Sequence, residues 1–162
     1  MEILKKTLKT RLEDASRIAV LGIGSDLRGD DAAGMIAAEK IKKFFKTSRR
    51  IKVYLGGTAP ENLTGEIKRF KPTHLLIIDT ADMKEKPGTI LFLDPEIIGE
   101  GVTFTTHKLP AKVLVQYFQS SFPCKVIFIG IQPKAIDFGK AVSKAVESAS
   151  SAVAKAFKYA CS

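Results

Sequence analysis

Ile18-Ala19-Val20-Leu21-Gly22-Ile23-Gly24-Ser25-Asp26-Leu27-Arg28-Gly29-Asp30-Asp31-Ala32-Ala33-Gly34 reads as a buried strand, a glycine-rich loop, two adjacent carboxylates and the start of a helix. The unbroken apolar run Ile18 to Gly22 suits a strand covered on both faces. Loops of this shape often hold phosphate, but this one has the wrong charge. A dinucleotide-binding G-x-G-x-x-G would need glycine where Leu27 stands. Gly24 and Gly29 match the glycines of a P-loop, yet Asp30 and Asp31 replace its Lys and Ser/Thr. A phosphate there would face two negative charges at contact range, which costs several kcal/mol in a poorly solvated cleft. Asp is favoured at a helix N-terminus as a cap. One Asp meets that need, which leaves the second to bind something cationic.

Leu4, Leu8, Leu12 and Ala15 recur upstream at helical spacing and predict an amphipathic helix over residues 1–15. The helix after the loop is expected to run from Asp30 or Asp31 to about Lys46, with Met35, Ile36, Ile41, Phe44 and Phe45 on its apolar face. A second strand, Ile51 to Leu55, ends at Gly56-Gly57-Thr58, and a short helix spans Pro60 to Phe70 before Pro72 breaks it. His74 to Ile78 is a third buried strand, closed by Asp79. A fourth strand is predicted at Thr89 to Leu93, then a turn at Asp94-Pro95 and a loop from Gly99 to Thr106 that ends at His107. A helix from Leu109 to Phe118, a fifth strand from Lys125 to Gly130 and a long Ala-rich helix from Phe138 to Ala160 complete the chain.

Strands alternating with helices predict a three-layer α/β/α sandwich around a mostly parallel five-stranded sheet. The ten residues from Asp79 to Gly88 are too few for a helical crossover, so the fourth strand is expected to be antiparallel. A length of 162 residues, 45% hydrophobic and 27% charged, supports a single domain over 1–162 with its own core. The net charge of +9 raises the question of nucleic acid, but the basic residues form only short clusters, as at Lys5-Lys6 and Arg49-Arg50, with no aromatic stacking platform among them. Solvated helix faces explain them better, and no nucleic-acid partner is expected. Cys124 and Cys161 make neither a metal-ligand spacing nor a disulfide framework, which fits a reducing cytoplasm. No apolar run approaches the ~20 residues needed to span a bilayer, and none reads as a secretory signal.

Chemistry in parallel sheets sits at the carboxyl ends of the strands, where strand order reverses. Asp31 and Asp79 both follow apolar strands, and adjacent strands would set them face to face. Two such carboxylates repel unless a proton or a metal separates them, although Asp79 could equally serve as a turn cap. Of the two histidines, His74 opens a strand and is assigned a structural role, while His107 at a loop-to-helix junction could add an imidazole. Three protein ligands with open positions describe a catalytic metal site. Ser25 lacks the G-x-S-x-G frame of a nucleophile.

These stretches together resemble a known family, the endopeptidases that mature the large subunit of [NiFe] hydrogenases. The resemblance rests on Gly22 to Gly34 as G-x-G-N-x-x-x-x-D-D/E-x-x-G, Gly56-Gly57-Thr58 after strand 2, Asp79 closing strand 3, and His107 before a helix. Thr105-Thr106-His107 followed by Leu109-Pro110, and Gly130-Ile131-Gln132-Pro133, are similar to the hydrogenase-3 or formate-hydrogenlyase branch. Ser25 stands in place of the usual Asn, Ala32 in place of Gly, and Lys134 where relatives can carry an acid. The resemblance implies a phosphorylase/hydrolase-like fold and an aspartic-type or metallo endopeptidase. It implies removal of a C-terminal extension from the large-subunit precursor once nickel is loaded. Asp31, Asp79 and His107 would be the catalytic, metal-recognising residues. Nickel would come with the precursor and no permanent cofactor is expected; a cytoplasmic monomer that does not engage a membrane fits this reading.

The rival from another class is a receiver domain, which also places paired acids after strand 1 and an Asp at the end of strand 3 and binds Mg²⁺ around a phosphorylated Asp. The long glycine loop before Asp30, the close strand 3 to strand 4 connection and the missing lysine-proline pair after strand 5 argue against it.

Overall fold

A computed structural model of the chain describes residues 1–94, 103–104 and 111–162. The helices are α1 (Glu2–Arg11), α2 (Ala33–Phe44), α3 (Thr64–Phe70), α4 (Ala111–Ser121) and α5 (Lys144–Ala160). The strands are β1 (Ile18–Ile23), β2 (Ile51–Gly57), β3 (His74–Asp82), β4 (Ile90–Leu93), β5 (Thr103–Phe104) and β6 (Lys125–Ile131). Short 3-10 turns at Gly29–Ala32 and Pro60–Leu63 lead into α2 and α3.

The sheet runs β2-β1-β3-β6-β4. β2, β1, β3 and β6 are parallel, and β4 lies antiparallel on β6, with Phe92 opposite Ile129. The expected three-layer sandwich and its antiparallel strand are therefore both present. The two-residue β5, which sequence reading missed, pairs antiparallel with the tail of β3.

Every residue of β1 is buried because helices cover both faces of the sheet. On one face α1, α2 and α5 pack Leu8, Ile41, Val153 and Phe157 over Ile18, Val20, Leu76 and Ile129. On the other, α3 and α4 pack Ile67, Phe70, Leu114 and Phe118 over Leu21, Leu75, Ile77 and Phe128. A fully buried side chain of this size contributes roughly 1.5–3 kcal/mol.

The face of α2 differs from the expected one. Its buried residues are Ala33, Gly34, Ala37, Ala38 and Ile41, whereas Met35 and Ile36 are only partly buried and Phe44 is exposed. The cause is close approach. A Cβ on Gly22 would lie 2.5 Å from the Ala38 Cβ, and one on Gly34 would run into the carbonyl oxygens of Ile23 and Ile78. The glycines of the opening stretch thus seat α2 directly on β1 and β3.

Three boundaries also move. β3 continues past Ile78 to Asp82, so Asp79 lies within the strand, because β6 pairs onward through Asp79–Gly130 and Thr80–Ile131. The last helix starts at Lys144 rather than Phe138; Gly139 has φ +79°, and Ser143 in extended conformation caps the first turn by accepting from the Val146 N–H. The first helix ends at Arg11. The expected loop Gly99 to Thr106, apart from β5, and the expected helix start at Leu109 lie outside the described residues.

Candidate active site

Strand order reverses between β1 and β3, since β2 continues from β1 on one side and β3 lies on the other. The carboxyl ends of these two strands deliver Asp31 and Asp79 to the same end of the sheet. Asp31 sits in the 3-10 turn that opens α2, and Asp79 lies one residue beyond the last β1–β3 pair, Gly22–Ile78. Both side chains are fully buried.

The loop after β1 folds back on Asp31. The Ser25 N–H donates to Asp31 Oδ2 at 2.9 Å, and the Leu27 N–H donates to Ser25 Oγ at 3.2 Å. Gly24, at φ +142°, lies so close to the Asp31 carbonyl that no side chain fits there. Ser25 therefore uses its main chain to hold the acid and its hydroxyl to shape the loop, which accounts for Ser in place of Asn.

Thr80, which sequence reading did not single out, joins the two acids. Its N–H donates to Asp79 Oδ1 at 2.7 Å, and its hydroxyl lies 3.1 and 3.2 Å from the carbonyl oxygens of Asp30 and Asp31. This buried Thr ties the turn that carries Asp31 to the strand that carries Asp79. No spacing rule exposes it, since the link exists only once β3 and α2 are packed.

Asp30 does not play the helix-cap role open to it by sequence, because its carboxylate takes no hydrogen bond from its own helix. Oδ2 accepts from the Lys134 N–H (2.7 Å), the Ala135 N–H (3.3 Å) and Ser143 Oγ (2.8 Å), and Oδ1 accepts from the Ser143 N–H (2.6 Å). Burial pushes the Asp30 carboxyl upward, but the donors from Ser143, Lys134 and Ala135 outweigh it and hold it below its ordinary value. Asp30 locks the segment after β6 to the loop after β1. The signal for its partner was Ser143, a favoured N-cap residue four positions after Gly139.

Gln132 completes the frame. Its Oε1 accepts from the N–H groups of Met83 and Glu85, and its Nε2 donates to Asp82 Oδ1, so it staples the end of β3 and the turn that follows. The Gly-Ile-Gln-Pro stretch thereby gains a structural reason. Among the described residues a side chain on Gly57, at φ +57°, would meet nothing within 4 Å, so none of them closes the end of β2 to an approaching chain.

His107 lies outside the described residues. His74 lies at the opposite end of β3, buried between Thr73 Oγ1 (2.9 Å) and Asp14 Oδ1 (3.1 Å), in keeping with its structural assignment. Among the described residues no group of three or more His, Cys, Asp or Glu side chains is placed to hold a metal ion by itself. Burial pushes the Cys124 and Cys161 thiols up to about 11, which suits neither for nucleophilic chemistry. Among the described residues no helix is long and apolar enough to cross a membrane.

Fold and site define an α/β protein with two buried carboxylates at its topological switch point. Comparison with known proteins gives that class its family. The family model for HycI, hydrogenase maturation protease, matches residues 35–160. The hydrogenase 3 maturation protease of Escherichia coli K12 is 40% identical over 119 residues, 74% of either chain. The crystal structure of the [NiFe] hydrogenase maturation protease HycI from Thermococcus kodakarensis KOD1 superposes with a TM-score of 0.82 at 28% identity, covering 94% of this chain and 99% of that one. The solution structure of the endopeptidase HycI from Escherichia coli gives 0.75 at 35% identity, over 86% and 87%. The chain belongs to the hydrogenase maturation proteases. It is a protease, and the receiver reading falls away.

Proposed function

We propose that this protease removes the C-terminal extension of a [NiFe] hydrogenase large-subunit precursor after nickel insertion, in the cytoplasm. The supporting observation is the convergence of Asp31 and Asp79, both buried, on Thr80 at the carboxyl ends of β1 and β3. With the imidazole of His107 as the third member, the donor set is two carboxylates and one nitrogen, a set that suits a nickel ion carried in by the substrate. That nickel supplies Lewis acidity at the scissile carbonyl or at a water. The chain's own residues do the positioning. The Ser25 N–H fixes the Asp31 carboxylate, the Thr80 N–H fixes that of Asp79, and Gly57, where no described residue stands in the way, admits the substrate backbone. On this reading the enzyme is of the aspartic or metallo type and carries no metal of its own.

The test mixes purified protein with nickel-loaded precursor and follows intact mass. Wild type should release a C-terminal peptide, and Asp31→Asn, Asp79→Asn and His107→Ala should each lose at least about a hundredfold in rate, the scale of removing a group that stabilises the transition state. Equal cleavage by all three variants would sink the site assignment. Cleavage of nickel-free precursor would sink metal recognition.

A further inference from the structure

The two acids of the site arrive on separate elements. Asp79 belongs to β3 itself, whereas Asp31 sits in the 3-10 turn Gly29–Ala32 that follows the loop after β1. The β1–β3 ladder ends at the pair Gly22–Ile78, so main-chain pairing of the two strands stops before either acid is reached. Their relative placement falls to contacts outside the ladder. Groups that act together on one centre have to be held to within about 0.5 Å.

Thr80 supplies such a contact. Side chains alternate along a strand, so Thr80 shares a face with Leu76 and Ile78, the face that α2 covers, while Asp79 shares the opposite face with Leu75 and Ile77. The Thr80 hydroxyl reaches into the α2 layer, where its single proton is shared between the carbonyl oxygens of Asp30 and Asp31, at 3.1 and 3.2 Å. Its N–H turns to the acid before it and donates to Asp79 Oδ1 at 2.7 Å. That N–H would come with any residue except proline. The hydroxyl is what threonine adds, and it is fully buried. A buried hydroxyl is costly unless it is bonded, and here its bonds go to the main chain of the turn that carries Asp31.

A second buried hydroxyl makes the same kind of bond away from the acids. Ser150 Oγ donates to the Ala33 carbonyl at 3.1 Å, and Ser150 is as fully buried as Thr80. It anchors the first turn of α2, but it does so from α5, an element that carries neither acid.

We propose that Thr80 is a positioning residue for proteolysis: its hydroxyl sets the turn that carries Asp31 against the strand that carries Asp79, so that both carboxylates meet the substrate together. This rests on the protease reading of the site with these two acids. Without the hydroxyl, Asp31 follows α2 and Asp79 follows β3, and the pair is held less often in the separation that cleavage needs.

The experiment measures kcat and KM for nickel-loaded precursor, with thermal unfolding, for wild type, Thr80→Val, Thr80→Ser and Ser150→Ala. Thr80→Val keeps the shape and the N–H and removes the hydroxyl. Its kcat should fall about 10- to 100-fold, the scale of losing a group that orients a metal-binding side chain. Its KM should stay within about threefold, because a fully buried side chain offers no surface to the precursor. Thr80→Ser keeps the hydroxyl, and its kcat should lie within about threefold of wild type. Thr80→Val and Ser150→Ala each take a donor from a buried carbonyl, so both should melt about 2–6 °C lower, yet Ser150→Ala should keep its kcat. An unchanged kcat in Thr80→Val, a rise in KM alone, a Thr80→Ser as slow as Thr80→Val, or an equal loss of kcat in Ser150→Ala would each overturn the positioning role, while wild-type cleavage left the protease reading standing. If Thr80→Val does not accumulate as folded protein, Thr80→Ala is compared with Thr80→Ser in its place. Wild type that fails to cleave nickel-loaded precursor removes both.

Discussion

Asp30→Asn separates the two neighbouring acids by their physical tasks. In wild type the Asp30 carboxylate has donors on both oxygens, three on Oδ2 and the Ser143 N–H on Oδ1. An amide offers only one oxygen. If it keeps the Oδ2 position, its NH₂ group meets the Ser143 N–H, leaving that donor unsatisfied where a 2.6 Å bond stood. Hydrogen bonds to a charged group are worth roughly 1.5–3 kcal/mol, and those that survive are weakened by loss of the charge, so about 3 kcal/mol should go. For a chain of this size that corresponds to a fall in melting temperature of about 6–12 °C. The pH dependence follows from the direction of the shift. The folded carboxyl lies below its ordinary 3.8, so its contribution is complete above that pH and is lost as pH falls through the folded value. Calorimetry of both proteins between pH 7 and 3 should show the full gap at neutral pH and a narrowing gap below 3.8. Below its melting temperature the variant should still process precursor. An unchanged melting temperature, or a gap independent of pH, would refute the assignment of Asp30 as the lock between the two loops.

Three further outcomes are expected. Gly34→Ala drives a Cβ into the carbonyl oxygens of Ile23 and Ile78, and because both are backbone atoms of the central strands the protein should lose more than about 3 kcal/mol in urea unfolding or fail to accumulate in soluble form. His74 is pushed below its ordinary 6.5 by burial, against the pull of Asp14, so the unfolded chain takes up a proton that the folded chain refuses; wild-type melting temperature should fall as pH drops below 6.5, and His74→Gln should flatten that part of the curve. Native Cys124 and Cys161 should react slowly with iodoacetamide at pH 7.5 and rapidly once unfolded, whereas fast labelling of the native protein would contradict thiols raised to about 11.

Much of the architecture could be read from the chain because the strands are local apolar runs, and the short link from Asp79 to β4 left no room for a parallel return. What sequence missed depends on partners far away. Asp79 looks like a strand end because a charge follows four apolar residues, yet the strand continues because Gly130 and Ile131 supply the next pairs. The buried face of α2 was assigned to its largest residues; Ile41 is indeed buried, but the rest of that face is small, since only small residues allow the helix to sit between Gly22 and Ile78. Asp31 and Asp79 stood out as candidates because charge at the end of a buried strand needs a reason. Thr80 and Ser143 did not, since a hydroxyl declares its role only through the groups it reaches.

The opening stretch looks like a phosphate loop because it solves the same mechanical problem. In both, a strand must turn sharply into a helix that begins at the edge of the sheet, and glycines allow the close contact. In a phosphate loop the main-chain donors of that turn remain for the ligand, and the positive end of the helix adds to them. Here the Ser25 N–H, a main-chain donor of the turn, is taken by the chain's own Asp31 carboxylate. The loop therefore carries its anion as a built-in side chain. A free phosphate would lose that donor and meet a fixed negative charge, while a cation would find a carboxylate already oriented by the turn. The second carboxylate arrives from β3, held by the N–H of Thr80, whose hydroxyl bonds the main-chain carbonyl of Asp31. Exchange of Asp31 for Asn should therefore weaken cation recognition without restoring phosphate binding, because the amide still occupies the donor.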